Sequence, residues 1–302
     1  SNFKIKKKHE ISILLVGNFD GLHKGHQKLF KQALNIKGQT DYPLGVITFD
    51  PIPKMFFNKE LKNYRLSNFS QKINLFKNFN VDFIINKKFD KKFSKISYLK
   101  FIKGIINKKI KGRIIFVSNN FRFGNKRKGN VKILKKFQKK YNYKIINPSP
   151  LIKNKKIISS TKIRDLLKIG KLRKANNYLG RNWSIEGKVI KGRMLGKKIG
   201  FPTCNIDIKN YVIPKLGVYS VKVFIENNKR KYYQGIANLG YRPTFNQKKI
   251  LLEVNLFNFS RNLYNKKLLV EFKKFIRGEK KFRGIEQLKK QIKKDIKIAK
   301  KL

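Results

Sequence analysis

One cysteine, Cys204, is all this 302-residue sequence contains, so neither a disulfide framework nor a cysteine-rich zinc site is available to it. Histidine is almost as scarce, with three in the chain. No uninterrupted apolar run approaches the roughly 20 residues that span a bilayer. Acids are few: 16 Asp and Glu stand against 75 Lys and Arg, a net charge of +59. The apolar stretch after the charged N-terminus is short. It runs into Gly17-Asn18-Phe19-Asp20 without a small-residue cleavage site, so it reads as a strand and not as a signal peptide. Ser1 at the start points to a processed or trimmed terminus. The expectation is a cytoplasmic, soluble protein without membrane contacts.

The residues present argue for a folded chain. Hydrophobic residues make up 40% and aromatics 13%, too much apolar material for a disordered polycation. The length suits two domains, each large enough to bury its own core. The positive charge is spread over nearly every segment, as at Lys6–Lys8, Lys108 and Lys109, and Lys293 and Lys294. It is mainly lysine and accompanies abundant Asn, Ile, Phe and Tyr, residues that share A/T-rich codons. Specific nucleic-acid contacts lean on arginine. Drift in codon composition therefore accounts for the excess better than a dedicated surface, and no specific nucleic-acid partner is expected. Such a field still attracts anions, including nucleotide phosphates and RNA, in a salt-dependent way.

The first half alternates apolar runs with helical patterns. Strands are expected over 11–16, 44–49, 81–85, 113–117 and 143–146, with a helix over 25–35. This alternation implies an α/β, Rossmann-like domain with a parallel sheet. Two short helices follow, over 161–168 and 171–179, broken at Gly170. From Trp183 onward, short strands are separated by Gly, Pro and Asn turns: 183–190, 217–225, 232–238, 250–257 and 267–275. That pattern suggests a mostly antiparallel β-barrel. Apolar residues at helical spacing, from Ile285 through Ile292 to Ala299, close the chain with an amphipathic helix. The expected domains are 1–180 and 181–302.

The sharpest local signal is GNFDGLHKGH, Gly17 to His26. It follows an expected strand and opens an expected helix, the place where nucleotides bind in open parallel sheets. Gly17, Gly21 and Gly25 permit close backbone approach, and Asn18, Phe19 and Asp20 complete the loop. A helix N-terminus adds free N–H groups. His23 and His26, three residues apart, can face one phosphate chain and stabilise charge developing on an α-phosphate. The alternative is a solvated pair on a surface helix.

The pattern resembles the HxGH nucleotidyltransferase superfamily. Further segments narrow the likeness: TFDPIP (48–53), FRFG (121–124) and ISSTKIR (158–164). In the last, Ser159, Ser160 and Thr161 can cap a helix or bind phosphate, and Arg164 can clamp it. In this order and spacing the set resembles the bifunctional riboflavin kinase/FMN adenylyltransferase family. That resemblance implies phosphorylation of riboflavin to FMN in the barrel and adenylylation of FMN to FAD in the first domain. ATP is the co-substrate, Mg²⁺ the metal, and riboflavin, FMN and ATP the partners; the oligomeric state stays open. Asn120 and Phe123 are then flavin-binding candidates. GRMLGKKIGFPTCN (192–205) resembles the kinase module's glycine-rich loop, with Gly192, Gly196, Lys198, Gly200 and Pro202 around ATP and Thr203 and Asn205 on Mg²⁺. ANLGYRPTF (237–245) and LEVNLFNF (252–259) match in order. Glu253 falls at the family's catalytic carboxylate; an outward-facing strand carboxylate is the alternative. Trp183 and Tyr219 read as core. The likeness spans about Ile13 to the C-terminus.

Several positions depart from the family pattern. Ile52 stands where histidine is usual, Ser118-Asn119 precede FRFG, Cys204 replaces alanine, and Asn255 and Asn258 flank Glu253. Two other functions remain open: a monofunctional nucleotidyltransferase with a degenerate barrel, and a basic RNA-binding protein on an inactive enzyme fold.

Overall fold

The computed structural model describes residues 3–192, 195–226, 228, 231–243 and 248–301. Arg193 and Met194 of the glycine-rich segment, and Thr244 and Phe245 of ANLGYRPTF, lie outside the described residues. The chain divides into two compact units, Ser1–Lys62 with Phe69–Ser159 and Asn63–Asn68 with Ser160–Leu302.

The first unit is built on five parallel strands: β1 (Ile13–Val16), β2 (Leu44–Asp50), β3 (Phe83–Lys88), β4 (Ile114–Phe116) and β5 (Lys144–Ile146). Their order across the sheet is β3-β2-β1-β4-β5. The chain steps one way from β1 and returns on its other side, so a topological switch point falls beside β1. All four β1 residues are buried, as a central parallel strand requires. Leu14 and Val16 pack into one apolar cluster, and Ile13 and Leu15 into another on the opposite face. Helices α1 (Lys24–Lys37) and α2 (Phe69–Lys77) belong to the second of these layers through Phe30 and Phe76, whose rings stack at 5.5 Å. Gly45 is required by packing: a Cβ there would run into the Phe83 ring of the neighbouring strand.

The second unit opens with α3 (Ser160–Lys168) and α4 (Leu172–Leu179), separated at Gly170, whose φ of 75° suits glycine. Six strands follow: β6 (Ser184–Ile190), β7 (Cys204–Asp207), β8 (Gly217–Ile225), β9 (Tyr233–Pro243), β10 (Lys248–Leu256) and β11 (Lys267–Arg277). They close into an antiparallel barrel in the order β6-β7-β10-β9-β8-β11. Helix α5 (Ile285–Lys300) packs on its outside, with Ile292, Ile296 and Ala299 against Val218 and Ile236. Strand β7 is absent from the expected set. It begins inside the TCN segment, and its four residues are too few to show an alternating pattern.

The packing boundary falls earlier than Arg181. Helices α3 and α4 belong with the barrel, and so does the short segment Asn63–Asn68. The Asn176 carboxamide on α4 accepts from the Trp183 N–H at 2.8 Å and donates to the Phe272 carbonyl at 3.0 Å. The Trp183 indole, buried against Phe272, donates to the Leu66 carbonyl at 2.9 Å. Arg65 and Tyr211 form a parallel bridge. Trp183 and Tyr219 are buried core residues, as the sequence suggests.

A fragment Ser160–Leu302 should therefore melt higher than Arg181–Leu302. Each hydrogen bond lost with α4 costs about 1 kcal/mol, to which exposure of the Trp183 surroundings adds, so the expected gap is roughly 10 °C. Thermal unfolding followed by circular dichroism measures it; equal midpoints would show that the barrel does not use these helices.

Candidate functional sites

The first site forms where β1 ends. The chain turns through left-handed conformations at Phe19 (φ 47°), Gly21 (φ 77°) and Leu22 (φ 35°) before α1 begins. Non-glycine residues rarely adopt such angles, so packing must hold them. Phe19 supplies that packing: its ring is buried edge-on against Phe30 at 5.2 Å and Phe76 at 6.0 Å. Gly17 makes room for it, since a Cβ at 17 would lie 3.1 Å from the ring.

His23 caps α1. Its Nδ1 accepts from the His26 N–H at 3.3 Å, so the neutral ring carries its proton on Nε2. The two imidazoles stack, 3.7 Å between centroids and 20° between planes, and Phe19 meets His26 edge-on at 5.3 Å. Burial, and after it the charge of His23, hold His26 well below the ordinary imidazole value of 6.5. Its Nδ1 is buried without a hydrogen-bond partner, as is the Oδ1 of Asn18. The stacked ring pair and two unspent polar atoms beside a helix N-terminus form a site suited to an anionic, hydrogen-bonding ligand. Gly25 lets the chain at Ile158 come close, the carbonyl lying 3.3 Å from where a Cβ would stand. That brings the segment ending in Ser159 against the start of α1.

Arg164 is buried in the second unit; its Nε donates to the Tyr64 carbonyl at 2.7 Å and its guanidinium lies 3.7 Å above the Tyr64 ring. Ser160 and Thr161 occupy the first turn of the same helix, α3. Phe123 enters the core, flanked by Phe101 at 5.1 Å and Phe121 at 5.4 Å, and its ring covers Gly129 on the paired strand. It keeps no face for a flavin; the half-buried Phe121 is the outer ring of the stack. Asn120 is exposed in the turn after β4, next to the switch point, where its Oδ1 accepts from Ser118 at 2.9 Å. Ile52 is buried, and a histidine's polar ring would lack water there.

The second site lies on the outer face of the barrel. Leu252, Val254 and Leu256 of β10 point inward, so Glu253 and Asn255 point outward. Outward is not exposed here, because α5 and the glycine-rich segment cover this face. Gly196, Thr203, Glu253 and Asn255 line one side of a cavity of about 350 Å³, with Phe282 and Ile292 on the other. Asn205 stands directly opposite Glu253 in the β7–β10 register. A Cβ on Gly192 would strike the Asn205 carboxamide, and one on Gly196 would strike the Phe201 carbonyl and approach the Thr203 hydroxyl at 3.1 Å. These glycines therefore let the loop lie directly on the TCN segment. Lys198 and Gly200 are exposed on that loop, and Pro202 presents its carbonyl to Asn255 Nδ2 at 2.7 Å. Asn255 thus ties β10 to the PTCN segment. Asn258 occupies an exposed left-handed turn position that asparagine tolerates.

Two further groups complete this face. Burial pushes the Cys204 thiol up to about 12, which leaves it an inert packing group. Arg277 on β11 grips Asp295 of α5 through Nε and Nη2, at 2.8–3.0 Å, and Gln291 donates to the same carboxylate at 2.9 Å. Asp295 is fully buried, so this pair fixes the helix that closes the cavity. Both partners escaped the sequence reading; an acid on the helix's apolar stripe, three residues after Ile292, was the available signal.

Among the described residues, no cluster of His, Cys, Asp and Glu could hold a metal by itself, and no helix is long and apolar enough to cross a membrane.

Residues 5–162 match the family model for FAD synthetase, and residues 179–302 that for riboflavin kinase. The chain is 41% identical to a bifunctional riboflavin kinase/FMN adenylyltransferase of Buchnera aphidicola subsp. Schizaphis graminum, over 98% of this chain and 96% of the relative. It is 34% identical to the protein of the same description from Escherichia coli K12, over 94% and 90%. A crystal structure described as a macrolide-efflux protein from Streptococcus pneumoniae superposes with a TM-score of 0.86 at 28% identity, over 100% of this chain and 97% of that one. That description shares nothing with the two family models, whereas the fold is common to both chains. With both models matched in order and the curated relatives aligned along nearly their full length, the chain belongs to the bifunctional riboflavin kinase/FMN adenylyltransferase family.

Proposed function

We infer that this protein phosphorylates riboflavin to FMN and adenylylates FMN to FAD, each with ATP, and that the two sites above carry the two reactions. What carries the assignment is their coexistence in one chain: stacked histidines at a helix N-terminus, and a carboxylate opposite Asn205 in a covered cavity.

In adenylyl transfer, an oxygen of the FMN phosphate attacks the α-phosphorus of ATP, and the bond to pyrophosphate breaks. His23 and His26 donate N–H groups to oxygens that gain charge, and no covalent intermediate on the protein is needed. The loop Gly17–Gly21, Gly25 and Ser159 surround the triphosphate, and Ser160 and Thr161 offer it the hydroxyls of the first turn of α3. Arg164 serves by shaping that turn through its hold on Tyr64. Asn120 and Phe121 receive the flavin.

In the kinase, Glu253 takes the proton of the ribityl 5′-hydroxyl as that oxygen attacks the γ-phosphorus; the bond to ADP breaks. The cavity between barrel and α5 holds the flavin, and Gly192, Gly196, Lys198, Gly200 and Pro202 line the ATP side. Thr203 and Asn205 offer one hydroxyl and one carboxamide oxygen, a hard donor pair of the sort that Mg²⁺ takes alongside nucleotide phosphates. The ion would neutralise charge on the transferring phosphoryl group. The protein works as a soluble cytoplasmic enzyme on small molecules, and its diffuse charge carries no specific nucleic-acid function.

His26→Ala should lower FAD formation by about 10² or more while riboflavin phosphorylation holds. Product analysis with FMN or riboflavin as substrate measures both, and unchanged FAD formation would remove the histidine site. The pH profile gives an independent check. A depressed value means His26 is already neutral above pH 6.5, so kcat/KM for FAD formation should stay flat from about pH 7 to 8. A mechanism needing imidazolium would lose about tenfold over that interval. Glu253→Gln keeps the side chain's shape and removes its basicity; riboflavin phosphorylation should fall by about 10² or more with ATP binding retained. Equal turnover would return Glu253 to the role of a surface carboxylate.

A further inference from the structure

Lys72 is 2% exposed, an unusual position for a lysine. It lies on α2, one turn before Phe76, on the stripe that faces the sheet. Its Nζ reaches the end of the neighbouring strands. It donates to the Thr48 hydroxyl at 3.2 Å and approaches the Asn18 carbonyl at 3.4 Å, while Thr48 donates to that same carbonyl at 3.2 Å. The three contacts are proton-consistent: the lysine donates twice, and the threonine accepts once and donates once. Thr48 is itself completely buried.

Placing an amine among buried groups costs free energy that a methionine of similar length would not incur. The geometry shows what the amine fixes. Across a trans peptide the carbonyl and the following N–H point in opposite directions. Holding the Asn18 carbonyl toward Lys72 and Thr48 therefore aims the Phe19 N–H the other way. It also sets the plane from which Phe19 enters its left-handed conformation and lays its ring against His26.

We propose that Lys72 is a positioning residue for adenylyl transfer, which with Thr48 clamps the Asn18 carbonyl and so holds the loop that carries Phe19 and the histidine pair. The inference rests on placing adenylyl transfer at His23 and His26. Lys72 touches no substrate; it acts through the Asn18–Phe19 peptide, and displacement of positioned groups by about 1 Å can cost 10²-fold in rate.

The test uses the full chain and three variants, Lys72→Met, Thr48→Val and the double variant, assayed well below their melting temperatures. Lys72→Met should lower kcat for FAD formation by roughly 30-fold with the KM for ATP within about twofold, since transition-state alignment is lost and ground-state binding is not. Thr48→Val should shift kcat the same way by about fivefold. The double variant should be no slower than Lys72→Met, because both act on one carbonyl. Wild-type kcat in Lys72→Met, or losses that multiply in the double variant, would overturn the clamp. If Lys72→Met does not fold, Thr48→Val decides alone, and a normal kcat there overturns the proposal. His26→Ala run in parallel separates the two levels. If it too leaves FAD formation intact, the site assignment has failed; if it is inactive while Lys72→Met is active, only the role of Lys72 falls.

Discussion

The Phe19 ring is the anchor of the first unit. A chain leaving β1 must reverse into α1 within a few residues, and it does so through three left-handed positions, two of which, Phe19 and Leu22, no local preference favours. Burial of one benzyl group against Phe30 and Phe76 offsets that strain. The same ring lies edge-on to His26, so the apolar core and the polar site share a wall. Removing water from one side of the histidine pair keeps the His26 ring neutral. A neutral imidazole still donates a hydrogen bond, and it stacks on its neighbour as one of two imidazolium ions would not.

The barrel solves a different problem. Its interior is filled by alternating apolar residues. Glu253 stands on the outer surface, where a carboxylate would ordinarily be solvated. Helix α5 and the glycine-rich loop enclose that surface, and the buried Arg277–Asp295 pair holds the helix in place. Breaking either partner alone would strand a charge in the core, which makes the closure a two-sided commitment.

Much of this was legible in the sequence because glycine and histidine are informative when they are sparse. With three histidines, a pair three residues apart after an apolar run marked the first site. Glycines 192 and 196 marked the loop that lies on Asn205 and Thr203. Other features were hidden by the composition. Lys72 lies on the apolar stripe of a helix, three residues after Phe69 and four before Phe76, yet one lysine among 75 basic residues draws no notice. Phe123 was ambiguous because an aromatic beside a glycine reads equally as a stacking platform or as core; the structure sets it between the Phe101 and Phe121 rings. The packing boundary was hidden because Leu66 and Trp183 are far apart in sequence, and only contact between them shows that they belong together.

That contact bears on how the chain is made. Synthesis delivers Asn63–Asn68 long before any barrel residue has left the ribosome. The segment must wait for its partners while the chain on either side of it folds into the first unit. When Trp183 emerges, the Leu66 carbonyl that its indole binds has already been made. Vectorial synthesis thus gives the two units an order of maturation that refolding of the intact chain from denaturant would not impose.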